Sequence, residues 1–219
     1  MLSNTLKFLT ALEKNNTRPW FEENRSMYES TKLEFENIVG ELIKGISEFD
    51  KDIAELQVKN CTFRQYRDVR FSKDKRPYKI NMGAYFNKGG KKINTAGYYF
   101  HLEPGKSIVA GGLWMPERDH LSRVRQEIDY NYPDWKKILN KAEFKKSFPD
   151  GVSMDNGLIR PPKKYDGENP AIKYLKLKSF IARKPINDSE LKSATLVKYL
   201  VMDLKTLKPF VDFLNRAIE

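Results

Sequence analysis

Between Lys79 and Trp114 apolar residues alternate with polar ones, whereas on both sides of that stretch they recur every three or four positions. A period of two belongs to a half-buried strand, and a period near 3.6 to an amphipathic helix. The order helix, sheet, helix, without repeated βαβ units, predicts an α+β fold. An antiparallel sheet from the central segment would pack against N-terminal and C-terminal helices. Hydrophobic residues make up 40% of the 219, enough for a sizeable core. No repeat or low-complexity linker divides the chain, so residues 1–219 are expected to form a single domain.

Leu6, Leu9 and Leu12 mark a first helix, with Ser3 or Asn4 as its cap. Pro19 suits a first helical turn, and the apolar spacing from Trp20 to Phe49 predicts one long helix over residues 19–49. Residues 79–86 read as a strand, and residues 95–114 as a hairpin turning at Pro104-Gly105. A strand near residues 60–71 is expected to join them. Helical spacing returns after Pro116, again in DWKKILNKAEFKKSF with Asp134 as cap, and from Asp188 onward in one or two closing helices, which Pro209 should kink or separate. AIKYLKLKSFIARKPI mixes a helical turn with a strand.

The chain carries a formal charge of +11, and residues 64–79, with seven bases and two acids, contribute +5 of it. Such concentration points to a local anion site rather than to diffuse solubilising charge. If residues 61–71 form a strand, Cys61, Phe63, Gln65, Arg67, Val69 and Phe71 share a face on which Arg67 needs a carboxylate, carbonyls or a bound anion. Ser72 to Pro77 reads as a turn that presents Lys75, Arg76 and Lys79 beside Arg64, Arg67 and Arg70. Guanidinium forks grip phosphate or carboxylate oxygens in pairs. In this reading Arg64, Arg67, Arg70 and Lys79 clamp an anion, Tyr78 orients it, and Asp68 holds an arginine in place. The competing reading is structural, with the bases neutralised by internal acids such as Asp68 and Asp74.

The segments NNTRPWFEENRSMYE, FRQYRDVRFSKDKRPYK, AGYYFHLEPGKSIVAGGLWMP and IRPPKKYDGENPAIKYLKLKSF, in this order, resemble a family of conserved hypothetical proteins, domain of unknown function 2461. The resemblance spans almost the whole chain and implies one α+β domain, without implying a defined activity. It directs attention to Arg18, Trp20, Asn24 and Arg25, to the basic stretch, and to His101 and Gly111 to Trp114. Lys164 and Asn169 stand where members of the family often carry glycine and histidine.

Arg18 precedes a helix whose free amides favour anions. Trp20 reads as core, and Asn24 as a local hydrogen-bonding residue. Were the site catalytic, His101 or Asp74 would carry the proton, in phosphoryl or acyl transfer; a hydrogen-bonded structural role suits His101 better. His120 is expected to be solvated. The glycine pair before Trp114 fits tight packing better than ligand approach. The chain has no GxxxxGKS/T, Rossmann GxGxxG, GxSxG or HExxH pattern, so the ATPase, dehydrogenase, serine hydrolase and zinc protease classes bearing those motifs are disfavoured, and no cofactor is specified. A single cysteine, Cys61, excludes an intramolecular disulfide and suits a cytoplasmic setting; no apolar run is long enough to span a membrane. The expected ligand is an anionic, phosphorylated small molecule. The alternative is nucleic acid, with Lys136, Lys137, Lys141, Lys145 and Lys146 extending the surface.

Overall fold

The computed structural model describes residues 1–219. Its first layer is helical. Helix α1 (Ser3–Lys14) buries Leu6, Phe8, Leu9 and Leu12, while α2 (Arg18–Glu23) and α3 (Arg25–Ser47) follow. Leu2 occupies the α1 cap position and no side chain caps it, so neither Ser3 nor Asn4 has the expected role. Thr17 caps α2 through the amide of Trp20, and Pro19 lies in its first turn. The single helix expected over 19–49 is two helices. They part at Asn24, whose Nδ2 donates to the Trp20 carbonyl at 2.8 Å. Asparagine side chains compete with the helical ladder in this way, and the apolar spacing continues across the break without recording it.

A 3-10 turn (Lys51–Ile53) and α4 (Val58–Cys61) lead to the sheet. Strands β1 (Met82–Phe86), β2 (Gly97–Leu102), β3 (Ser107–Leu113) and β4 (Phe180–Ile186) pair antiparallel in sequence order. The β2–β3 turn contains Pro104-Gly105, with Gly105 at φ 70°. The strand expected at 60–71 is absent, and β4 supplies the fourth place. Residues 62–79 make only isolated bridges, Thr62 to Ala84 and Tyr66 to Tyr78. Alternation misled there because Phe63 and Phe71 face solvent, Phe71 at 96% exposure.

Helices α5 (Arg118–Tyr130), α6 (Tyr132–Leu139), α7 (Ala142–Ser147) and α8 (Ile172–Leu175) separate β3 from β4. Asn131, not Asp134, holds the α6 cap position; Asp134 sits inside the first turn. His120, on α5, is half-buried rather than solvated. After β4 come α9 (Asp188–Leu191), α10 (Leu196–Thr206) and α11 (Lys208–Arg216), the last two parted at Leu207, with Pro209 in the first turn of α11.

One sheet face packs on helices, with Phe35 of α3 stacked on Phe100 at 5.9 Å. Trp135 of α6 contacts Phe180, Phe210 and Phe213, so one apolar cluster runs from Leu2 to Leu214. The other face carries Tyr99, His101, Ile108, Ile181 and Arg183, half-buried or exposed. At Gly112 the backbone has φ 127°, and a Cβ would stand 1.9 Å from the Phe180 carbonyl oxygen. Tight strand packing therefore accounts for this glycine. Cys61 is buried, and burial pushes its thiol up to about 11. No helix is long and apolar enough to cross a membrane.

Candidate functional site

The basic stretch forms a loop fastened at its base. The Arg67 amide donates to the Pro77 carbonyl at 2.9 Å, and the Lys79 amide to the Gln65 carbonyl at 2.8 Å. Gln65 is buried, and its Nε2 donates to the Lys79 carbonyl. Asn16, between α1 and α2, grips the same point from outside. Its Nδ2 donates to the Tyr78 carbonyl at 3.0 Å, and its Oδ1 accepts from the Tyr78 amide at 3.1 Å. The Tyr78 ring stacks on Phe21 at 3.9 Å, within an aromatic group that includes Phe8, Trp20 and Tyr28. The N-terminal block and the basic stretch are thus one construction. Asn16 was not singled out in the sequence, where NNTR signals only a helix break.

At the tip, two aspartates organise the cations. Asp74 accepts from Arg67 Nη1 at 2.7 Å and from Arg76 Nη2 at 2.7 Å, and its Oδ1 also accepts from the Arg76 amide at 3.1 Å. Arg67 additionally donates to the Arg76 carbonyl and lies 3.5 Å from Ser72 Oγ. Asp68 holds Arg70 with two side-chain bonds, at 3.0 and 2.7 Å, and accepts from the Arg70 amide at 3.2 Å. Lys75 Nζ donates to the Val69 carbonyl. Of the partners expected for Arg67, a carboxylate, carbonyls or a bound anion, the loop supplies the Asp74 carboxylate and the Arg76 carbonyl, and Asp68 holds Arg70, pairings that the structural reading expected.

These contacts set the electrostatics. Arg76 first, then Arg67, hold the Asp74 carboxyl well below the usual carboxylate range, and Arg70, with a smaller effect from Arg64, lowers Asp68. Two arginines on one carboxylate leave a net positive charge. Arg64 and Lys79 have no ion pair with any acid; Lys79 Nζ lies over the Phe63 ring, 5.6 Å from its centroid. Burial, then the neighbouring Arg64, lower the Lys79 ammonium below its ordinary value. Arg18, at the start of α2, is exposed and lies near enough to act on the Tyr78 hydroxyl.

Two expected roles are revised. Tyr78 is 2% exposed, so its ring supports the loop instead of facing a ligand. Asp74, fixed as a carboxylate by two guanidinium groups, is unsuited to carrying a proton. His101 lies on the sheet, opposite Gly83, with both ring nitrogens engaged: Nδ1 with the Tyr99 hydroxyl and Nε2 with Glu103, each at 3.0 Å. That is the structural arrangement favoured for it. In the late loop Asn169 Nδ2 donates to Asp129 at 2.6 Å, tying α5 to α8.

These features define a class: an α+β protein with a four-stranded antiparallel sheet and a cationic loop anchored by an N-terminal aromatic group. Residues 4–213 match the family described as conserved hypothetical protein (DUF2461), and the chain belongs to that family. No curated protein and no solved structure matches it.

Proposed function

We propose that the protein binds a phosphate-bearing anion on the loop 63–79, with Arg64 and Lys79 as the primary contacts and Arg18, Arg67, Arg70, Lys75 and Arg76 around them. The observation that carries this reading is the neighbouring pair Arg64 and Lys79, neither in an ion pair with an acid, with the Lys79 charge disfavoured by burial and by Arg64. An anion placed between them relieves both penalties. The Asp74 and Asp68 pairs order the tip and leave part of the guanidinium surface open. The ligand meets an exposed surface, since neither principal cleft of the molecule is lined by these residues. Cys61, buried and without a disulfide partner, supports a reducing, cytoplasmic setting.

A second reading, single-stranded nucleic acid, is favoured by the aromatics among the cations. Phe71 is almost fully exposed beside the Arg70 guanidinium, and Tyr66 and Phe63 are also exposed. Bases stack on such rings while arginine and lysine meet the phosphates.

Calorimetry with pyrophosphate and a nucleotide, and anisotropy with a labelled oligonucleotide, test both readings. Replacing Arg64 and Lys79 together by alanine should weaken every phosphate ligand at least about tenfold without altering the fold. Phe71→Ala should weaken the oligonucleotide alone. Equal binding by wild type and the double variant, or no binding by wild type, would reject the anion site.

A further inference from the structure

At the far end of β1 from the basic loop lies a cleft of about 550 Å³, within the usual range for metabolite sites. It is built where the chain leaves α3, β1 ends, β2 begins and α6 and α11 pass, so no single sequence segment announces it. Among its buried residues are Asp50, Asn87 and Tyr98, exposed by 7%, 1% and 0%.

Asp50 makes no ion pair. Its Oδ2 accepts from the Tyr98 hydroxyl at 2.8 Å, and its Oδ1 accepts from the Asp52 amide at 3.3 Å. A buried carboxylate without a cation is costly and is ordinarily paired. The negative field extends beyond it: burial, then Asp50, Asp212 and Asp52, hold the Tyr98 hydroxyl well above the ordinary phenol range.

Asn87 supplies an independent sign of a missing partner. Its Nδ2 donates to the Ile93 carbonyl at 2.7 Å and contacts Thr95 Oγ1 at 2.9 Å. A carbonyl only accepts, so the amide orientation is fixed, and the side-chain oxygen is the polar atom of this cleft-lining residue that is left over. That oxygen is buried and has no donor. Both unmet requirements, a cation for Asp50 and an N–H for Asn87, are those of one chemical group. The acids do not cluster as a metal site would require.

The cations near the mouth do not answer Asp50. Arg216 pairs with Glu127 at 2.6 Å, Lys88 with Glu219 at 3.9 Å, and Lys208 neutralises Asp212. Lys137 and Lys141 are exposed and free of acid partners.

We propose that this cleft binds a small organic cation, a metabolite whose ammonium or guanidinium group is held by Asp50 and the Asn87 side-chain oxygen. A carboxylate or phosphate at the ligand's other end has Lys137 and Lys141 to meet it. The site is independent of the anion surface, and either can fail alone.

The test is calorimetry of the full chain with agmatine, spermidine and arginine, beside n-butanol as a neutral control. At least one cation should bind wild type while butanol does not, and Asp50→Asn should weaken that binding by at least about tenfold. Lys137→Ala should affect arginine more than agmatine. Because Asp50→Asn can disturb the Tyr98 contact, an NMR titration of wild type supplies the second readout: the Gly97 and Asn87 amide signals should move with the cation. The proposal is overturned if none of the three cations binds wild type, if Asp50→Asn binds equally well, or if the shifted amides lie elsewhere.

Discussion

Asp74 gives the basic loop its shape by receiving two arginines that are seven and two positions distant in sequence, Arg67 through Nη1 and Arg76 through its side chain and its amide. Its carboxyl is depressed in the folded protein, so the unfolded chain binds its proton at higher pH. The sign follows from that difference. Its contribution to loop order is fully present above the ordinary carboxylate value, about 4, and is lost as pH falls through the lower folded value. Asp74→Ala should therefore speed tryptic cleavage between Arg67 and Lys79 several-fold at neutral pH. The wild-type loop should keep its resistance down to about pH 4 in a limited-proteolysis series using an acid-tolerant protease. Equal cleavage of the two proteins would show that the pairing does not order the loop. At this scale the sequence was informative about need but not about partner. It indicated that Arg67 needed a carboxylate, carbonyls or a bound anion, yet the pairing with Asp74 depended on a turn whose closure involves Asn16, far away in the chain.

The elements were legible wherever periodicity and punctuation agreed. Pro19 and Pro209 sit in first helical turns, Pro104-Gly105 turns the hairpin, and Met82, Ala84 and Phe86 are buried as their alternation implied. They were illegible where side-chain chemistry overrode the pattern. Asn24 interrupts α2 and α3 without disturbing the apolar stripe, and the alternation at 60–71 describes a loop whose aromatics face water. Glycines separate the two kinds of turn quantitatively. Gly112→Ala forces a Cβ against the Phe180 carbonyl in a left-handed conformation and should cost at least about 3 kcal/mol in urea denaturation, or prevent folding. Gly105→Ala, at φ 70° with nothing near its Cβ, should cost only about 1 kcal/mol. Similar losses for the two would show that β4 does not depend on close approach at Gly112.

Across the whole molecule, helices α3, α10 and α11 line the same sheet that separates two charged regions at opposite ends of β1. One is a contiguous basic loop, visible in the sequence because its charge is local. The other is a cleft assembled from distant segments, with Asp50 and Asn87 placed on its lining only by the fold; no local pattern marks it. At the first region Arg64 and Lys79 neighbour each other with no ion pair to an acid, and the proposed anion would lie between them. The direct measurement is the titration of the Lys79 ammonium, followed by NMR of its side chain with and without pyrophosphate. The free protein should show Lys79 titrating below the ordinary lysine value of 10.5, and pyrophosphate should raise it. A Lys79 titration that begins at the ordinary value, or that stays unchanged at saturating pyrophosphate, would contradict the account.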